Sequence, residues 1–271
     1  MHQLPTAHYN RVRRFFPPGT VGRSFALAMV EGNHAGRVFV DDPNTPRAAL
    51  IAPACDFNLV AGNPGDARTN SDIATLLSRD LPDSDGYTLV FPTSPAWADV
   101  LEARFSEAPL LDHPTRSVYR LDRERFAEYH SGWRNRMDRD YRVVPYDRTA
   151  AQGRGLPAFW GSADAFLARG IGFAAAKHDV IVSRCHSVLI GDGQAEISID
   201  TNETHRRRGL ATAVACAFIE TCLDRDLEPA WSCWSENVPS RHLAESLGFI
   251  LAHETPGLVI KVGQEKVLHP D

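Results

Sequence analysis

The chain has 271 residues, which is enough for one large domain or two smaller ones, and 43% of them are hydrophobic. With 23% charged residues and a net charge of −5, it lacks the basic surplus that would favour nucleic acid as the partner. No apolar run approaches the roughly 18 residues of a membrane span. The first residues contain no apolar signal core, so we expect a cytoplasmic protein without a membrane partner.

The cysteines and histidines indicate neither a metal site nor a disulfide framework. The five cysteines are widely spread and form no C-x-x-C pair, and the eleven histidines are scattered without an H-E-x-x-H motif. Reduced thiols of this kind are typical of cytoplasmic proteins. We therefore expect no metal ion.

The first part of the chain alternates short predicted strands and helices. Interleaved arginines and acidic residues over 122–141, with apolar side chains at spacings of three and four, predict one long amphipathic helix. We place a domain boundary near Arg139, which gives domains of 1–138 and 139–271. Before that helix, strands are predicted at 37–40, 48–54, 57–61, 87–91 and 117–121, and helices at 66–81 and 96–105.

The second part has a simpler predicted order. Ser162 is the expected N-cap of a helix over 163–169. A short polar link predicts a hairpin between the strands 172–176 and 180–188, and a Gly-Asp-Gly turn leads into an alternating strand that ends near 201. The remaining predictions are a strand at 141–146, a loop at 153–157, a buried helix at 210–226, a strand at 230–235, a helix at 239–246 and two final strands within 249–262.

Three consecutive arginines precede a glycine between the alternating strand and the buried helix. They are Arg206, Arg207 and Arg208, and the glycine is Gly209. The first turn of a helix has N–H groups without partners, and the helix dipole favours negative charge there. A glycine lets the backbone approach a ligand closely, and guanidinium groups add charge-assisted donors. The stretch predicts a phosphate-binding loop, although neither the P-loop spacing nor G-x-G-x-x-G occurs.

The motif R-x-x-G-x-A that begins at Arg206 resembles the pyrophosphate loop of the GNAT N-acyltransferase superfamily, whose pattern is Q/R-x-x-G-x-G/A. The preceding Ala-Glu-Ile-Ser-Ile resembles the fourth core strand of that family. Asn237, followed by Leu-Gly-Phe at 247–249, resembles the family's N…LGF ending. More narrowly, the chain is similar to the GNAT acetyltransferase branch that includes antibiotic-resistance enzymes of the zwittermicin type.

The resemblance implies an α/β fold of mixed α+β type, with two tandem GNAT-like mixed sheets and flanking helices. Residues 139–271 would form the catalytic GNAT domain, and 1–138 a degenerate GNAT-like domain without a cofactor. Acetyl-CoA would be the co-substrate. The residues that would bind it are Ile199, Thr201, Arg206, Arg207, Arg208, Gly209, Leu210, Ala211, Thr212, Asn237 and Ser240.

The implied reaction is acetyl transfer to the primary amine of a small molecule by direct attack on the thioester. Since most amines are protonated at neutral pH, a base must remove a proton. Glu196 matches a glutamate of the family's strand and is the first candidate, with Asp200 second; a structural carboxylate paired to an arginine is the alternative for Glu196. Many family members carry a tyrosine that protonates the leaving thiolate, but Ala244 stands there. Solvent, Ser240 or another group would supply that proton.

Two other functions stay open from the sequence. The chain could be a CoA-binding or sensor module without catalysis, or an acetyltransferase that acts on a protein amine. We expect the acceptor site to involve the loop at 153–161, with Trp160 as a candidate wall, and faces of the N-terminal half. The identity of the acceptor and the oligomeric state, a homodimer included, are also open.

Overall fold

The structure is a computed structural model that describes residues 1–55, 57–81, 86–106, 110–130, 132–133, 137–152 and 156–261. No helix within these ranges combines the length and the apolarity needed to cross a lipid bilayer. The elements up to residue 130 are β1 (His2–Gln3), a 3₁₀ helix (Thr6–Phe15), α1 (Arg23–Val30), β2 (Gly36–Val40), β3 (Ala48–Pro53), β4 (Asn58–Gly62), α2 (Ala67–Thr75), a π-helical turn (Leu76–Asp80), β5 (Tyr87–Pro92), α3 (Pro95–Phe105), β6 (Leu110–Asp112), β7 (Thr115–Leu121) and α4 (Arg123–His130).

The elements after residue 137 include the strands and the helix that the sequence motifs point to. They are β8 (Arg142–Pro145), α5 (Arg148–Ala151), α6 (Leu156–Trp160), α7 (Ala163–Arg169), β9 (Gly172–Lys177), β10 (Val180–Gly191), β11 (Gln194–Thr201), a 3₁₀ turn (Glu203–His205), α8 (Leu210–Asp224), β12 (Glu228–Trp234), α9 (Val238–Ser246), β13 (Phe249–Pro256) and β14 (Leu258–Lys261).

The chain forms two compact units that a single cut in the sequence does not separate. The first unit contains Met1–Val30, Gly36–Pro114 and the segment from Pro256 onward; the second contains Glu31–Ala35 and Thr115–Thr255. The predicted boundary near residue 139 therefore falls inside the second unit. A strand pattern is local, so it does not specify which of two sheets the strand will join.

The first unit is built on a seven-stranded sheet with the order β1-β2-β3-β4-β5-β14-β6. Its neighbouring strands are antiparallel except for the parallel pair β4 and β5. Trp97 of α3 is fully buried in its core, together with Leu50, Val60 and Ile260. The last strand of the described chain thus completes the sheet of the first unit.

The second unit is built on a seven-stranded sheet with the order β13-β7-β12-β11-β10-β9-β8. The strands β8 to β11 form a run of antiparallel neighbours, β11 and β12 are parallel, and β12 pairs antiparallel with β7. The helix α8 packs against β9, β10 and β11. Val214 and Phe218 of this helix are fully buried, which confirms that it lies in the core.

The two sheets have equivalent strand orders. In each, four strands in sequence are followed by a helix and a parallel strand, and then by a strand from a distant part of the chain. That inserted strand is β14 between β5 and β6 in the first unit, and β7 between β12 and β13 in the second. The prediction of two tandem mixed sheets is confirmed. The predicted domains placed the strand at 117–121 in the first domain and the last strand in the second, and both of these assignments are wrong.

Three further differences separate the predicted elements from the observed ones. The long helix predicted over 122–141 is α4, and its helical run ends at His130; Gly132 follows at a φ of 82°, which a continuing right-handed helix does not allow. The predicted loop at 153–157 gives way to α6 from Leu156, and 153–155 lie outside the described residues, as does Val262. The helix α1 and the strand β6 were not predicted.

We expect Ile260→Ala to destabilise the first unit, because Ile260 is 1% exposed and belongs to its core. The loss in the free energy of unfolding should be about 2–5 kcal/mol, measured by chemical denaturation. Val180→Ala is the control, since Val180 is 62% exposed, and should change stability by less than about 0.5 kcal/mol. An equally small effect of both changes would contradict the position of β14 inside this sheet.

Candidate functional site

The parallel strands β11 and β12 pair along only part of their length. Their register runs from Gln194 opposite Glu228 to Glu196 opposite Ala230. Beyond that point β11 continues to Thr201 and β12 to Trp234, and no further pairing joins these described residues. Alternate backbone groups of β11 that would face β12 are therefore left without a strand partner, and they border an opening between the two strands.

The loop after β11 leads to a helix start without a side-chain cap. Arg207 has a φ of 58° and Gly209 a φ of 75°, and Gly209 is the N-cap of α8. The first bond of the helix runs from the Ala213 N–H to the Gly209 oxygen at 3.0 Å. The N–H groups of the first turn, at 210–212, therefore have no acceptor within the helix. Left-handed residues in such a loop form a concave backbone surface that suits an anion.

A pocket of about 640 Å³ lies where the separated strands meet this helix start. Eleven of the thirteen predicted site residues line it, whereas Glu196 and Arg208 do not. Sequence reasoning assigned no binding role to three further lining residues, although one of them is the residue directly before Arg206. The lining consists of Ile199, Asp200, Thr201, His205, Arg206, Arg207, Gly209, Leu210, Ala211, Thr212, Asn237, Pro239, Ser240 and Leu243.

The three arginines of the loop differ in their surroundings. The Nε of Arg206 donates to the backbone oxygen of Thr201 at 3.2 Å, and its Nη1 lies 3.5 Å from the Glu203 carboxylate. Arg208 is not part of the pocket lining, and its Nη1 lies 3.9 Å from the Asp138 carboxylate. All three are exposed, as is Gly209, so an anion can reach the loop from solvent.

The first turn of α9 forms the opposite wall of the pocket. The Asn237 Oδ1 accepts from the Ser240 N–H at 3.2 Å, so this side chain caps α9 and also lines the pocket. The Ser240 hydroxyl oxygen accepts from the Trp231 Nε1 at 3.1 Å. That bond holds the hydroxyl at the pocket wall.

Glu196 occupies the last paired position of β11 before the two strands separate, and its carboxyl group is buried. Glu196 is 6% exposed, and the Ser232 hydroxyl donates to its Oε1. The Arg116 Nη2 donates to the Ser232 backbone oxygen at 2.9 Å and to its hydroxyl oxygen at 2.8 Å. Burial raises the pKa of Glu196 from 4.5 to about 7, although the Ser232 hydrogen bond and the charge of Arg116 oppose this rise.

Three other titratable groups lie in or near this part of the second unit. Asp200 lies four residues further along β11, on the same face as Glu196, and lines the pocket. The His205 Nδ1 forms a 2.9 Å hydrogen bond with the Tyr141 hydroxyl, also at the pocket, whereas His242 is exposed on α9 and outside the lining. Among the described residues, no group of three or more His, Cys, Asp or Glu side chains could hold a metal ion.

Two other sequence expectations concern Ala244 and Trp160. Ala244 is fully buried in the core and carries no group that could donate a proton. Trp160 is 4% exposed and packs edge-on against Phe166. Its Nε1 donates to the backbone oxygen of Ser187 at 3.2 Å. It is therefore a core residue outside the pocket lining, and its role as a wall of the acceptor site stays a prediction.

Comparisons with known proteins agree with this architecture. The family model described as GNAT acetyltransferase matches residues 21–258. An uncharacterized N-acetyltransferase of Bacillus subtilis, YdfB, is 28% identical over 230 residues, which are 83% of this chain and 86% of that protein.

Solved structures show the same fold. A GCN5-related N-acetyltransferase-like protein from Streptococcus suis has a TM-score of 0.71 at 23% identity, with 94% of this chain and 98% of that chain covered. A tandem GNAT protein from the clavulanic acid biosynthesis pathway has a TM-score of 0.62 at 14% identity, with coverage of 96% and 98%. Together they confirm the predicted tandem GNAT architecture.

We expect Glu196→Gln to remove a pH dependence of stability. The carboxyl group ionises near pH 4.5 in the unfolded chain but only near pH 7 in the folded one, so the folded state binds more protons between these values. The stability of the wild type relative to the variant is highest below pH 4.5 and falls by up to about 3 kcal/mol as the pH rises to 7. Urea unfolding of both proteins across this range measures the difference. A difference that stays constant with pH would mean that Glu196 titrates normally.

Proposed function

The chain belongs to the GNAT acetyltransferase family, and we propose that it moves the acetyl group of acetyl-CoA to a primary amine of a small molecule by direct attack on the thioester. One observation carries this proposal. The uncapped first turn of α8 opens into a pocket at the point where β11 and β12 separate. This arrangement combines an anion site with free strand backbone, which are the two features that a long phosphorylated thioester needs.

The residues at the loop fit the diphosphate of acetyl-CoA. The N–H groups at 210–212 would donate to its oxygens, and Arg206 and Arg207 would add charge, while the exposed Gly209 leaves the backbone accessible. The helix has no acidic residue in its first turn that would repel the anion. Arg208 would need to leave Asp138 to take part, so its contribution is the weakest of the three.

The separated strands suit the pantetheine arm. The backbone of β11 at Ile199 and Thr201 borders the opening, and Asn237 and Ser240 lie on the other wall. The arm would take the place that β12 leaves, with amide groups pairing to the backbone of β11 as a neighbouring strand does. An N–H of the same strand could stabilise the charge that develops on the thioester oxygen.

The bound co-substrate supplies an activated acetyl group, and the chain orients it and manages the protons. Glu196 is the proposed base, because a carboxyl group with a pKa near 7 both accepts a proton and returns it at neutral pH. Since Glu196 lies outside the pocket lining, a water molecule would pass the proton from the amine to it. Asp200 lines the pocket and is the alternative base.

Ser240 is the proposed donor to the leaving thiolate. Its oxygen accepts from the Trp231 Nε1, so its own hydrogen is available for another acceptor at the pocket wall. This hydroxyl would fill the role that Ala244 cannot perform. A thiolate with a pKa of about 8.5 needs only modest help of this kind.

The first unit, by contrast, offers no comparable anion site at its equivalent helix. The N-cap of α2 is Asp66, whose carboxylate accepts from the N–H groups of Arg68 at 2.9 Å and Thr69 at 3.5 Å. A carboxylate at this position satisfies the donors and repels a phosphate. This difference supports the proposal that the N-terminal unit is a GNAT-like domain without its own cofactor.

We expect Gly209→Val to abolish acetyl-CoA binding. A β-branched residue strongly disfavours the φ of 75° at this position, and its Cβ would intrude where the backbone meets the diphosphate. Isothermal titration calorimetry should show a loss of affinity of about a hundredfold or more, corresponding to about 3 kcal/mol. Gly193→Val is the matched control, because Gly193 has a φ of 71° in the same unit but lies outside the pocket. Unchanged affinity in Gly209→Val would refute the loop assignment.

We expect Glu196→Gln to lower the turnover of acetyl transfer by about 10²–10⁴-fold, with little change in acetyl-CoA affinity. Thiol release with a panel of small amines and of peptides with free amines measures the turnover and tests the proposed acceptor class. Asp200→Asn is the paired variant that tests the second carboxylate. Acetyl-CoA binding without thiol release from any acceptor would favour a sensor module instead.

A further inference from the structure

Three residues from three neighbouring strands form a polar cluster next to the point where β11 and β12 separate. Arg116 lies on β7, Ser232 on β12 and Glu196 on β11. The order β7-β12-β11 in the sheet places Ser232 between the other two. Arg116 reaches this sheet only because β7 pairs with β12, which the sequence pattern does not reveal.

The hydroxyl of Ser232 connects the guanidinium to the carboxylate. It accepts from the Arg116 Nη2 at 2.8 Å and donates its single hydrogen to the Glu196 Oε1. A hydroxyl that accepts from a cation donates more strongly to an anion, because hydrogen bonds in a chain polarise one another. The cluster therefore places two hydrogen bonds in series, one from the guanidinium to the hydroxyl and one from the hydroxyl to the buried carboxyl group.

The guanidinium of Arg116 is itself held in place. Its Nη2 donates to the Ser232 backbone oxygen at 2.9 Å as well as to the hydroxyl. Its central carbon lies 4.9 Å from the ring centroid of Trp234, the residue opposite Arg116 in the β7–β12 register. These contacts fix its direction towards Ser232.

We propose that Arg116 and Ser232 are positioning residues that orient the carboxyl group of Glu196 and keep it available as a base. This inference rests on the proposed function for its catalytic meaning, but the cluster itself can be tested on the free protein. Arg116 stays protonated at all working pH values, so the cluster orients and tunes the carboxyl group without carrying its proton away. The proton would leave Glu196 through the water that brought it.

The charges around Glu196 favour a measurable effect. Burial raises the pKa of Glu196, and the Ser232 hydrogen bond and the Arg116 charge lower it. Other titratable or charged groups on the same face are Asp200 on β11, Arg184 and His186 on β10, Glu228 on β12 and the exposed Arg120 on β7. Loss of Arg116 or Ser232 should therefore raise the pKa of Glu196 further, because less would oppose the effect of burial. The carboxyl group would then stay protonated at neutral pH.

The test is a titration of the Glu196 carboxyl group in the full chain by ¹³C NMR with labelled glutamate. The signal that disappears in Glu196→Gln identifies this residue. Ser232→Ala and Arg116→Gln should each raise the titration midpoint by about 1 unit or more. Ser232→Thr, which keeps the hydroxyl, and the control Arg120→Gln, which removes an exposed charge from the same strand and face, should leave it near the wild-type value.

Activity provides the second readout. With an amine that the wild type acetylates, the rise of kcat/KM with pH should move upward by the same amount in Ser232→Ala and Arg116→Gln. Affinity for acetyl-CoA should stay unchanged, because neither residue lines the pocket; this also shows that each variant is folded. Ser232→Ala still tests the cluster if Arg116→Gln does not fold.

The outcomes separate this inference from the proposed function. An unmoved midpoint in both folded variants overturns the role of the cluster, even if the wild type acetylates amines. A raised midpoint in a chain that acetylates no amine supports the cluster and counts against the proposed reaction. A raised midpoint with a matching shift in kcat/KM supports both.

Discussion

The separation of β11 from β12 is the constraint on which the candidate site depends. The two strands pair next to Glu196 and then diverge, so backbone groups that a continuous sheet would satisfy remain available at its centre. The pocket at this divergence also includes the start of α8, whose first turn has no side-chain cap. The proposed anion site and its row of backbone partners thus both depend on one local departure from regular pairing.

Burial and polar support act in opposite directions at Glu196. Burial of a carboxylate is unfavourable in free energy unless hydrogen bonds and nearby charges compensate for the lost hydration. Ser232 and Arg116 provide part of this compensation, and burial still dominates, which leaves the pKa near 7. The proposed role of Glu196 as a base needs this balance, because a fully compensated carboxylate would bind a proton too weakly and an uncompensated carboxyl group would stay protonated.

The two units show how one topology can carry two different helix starts. Both sheets have a helix between the two strands of their parallel pair. In the first unit the N-cap of the helix is Asp66, whose carboxylate accepts hydrogen bonds from N–H groups of the first turn. In the second unit the N-cap is Gly209, which has no side chain to accept such bonds. A difference of one residue at the N-cap therefore decides whether the helix dipole is already neutralised or is available to a ligand.

The sequence by itself determined the local features of this protein. The run from the strand before Asn202 to the L-G-F motif is continuous, so the alternation and the arginine-glycine loop could be read from neighbouring residues, as could the N-cap at Ser162 earlier in the chain. Most strands and helices could be predicted from the sequence, as could eleven of the residues that line the pocket.

Only the tertiary structure decided which strands share a sheet. The exchange of β7 and β14 depends on pairing between segments more than a hundred residues apart, and periodicity carries no information about such partners. For the same reason the sequence could indicate Glu196 but not Arg116 or Ser232, since hydrogen bonds across strands arise only when the sheet has formed.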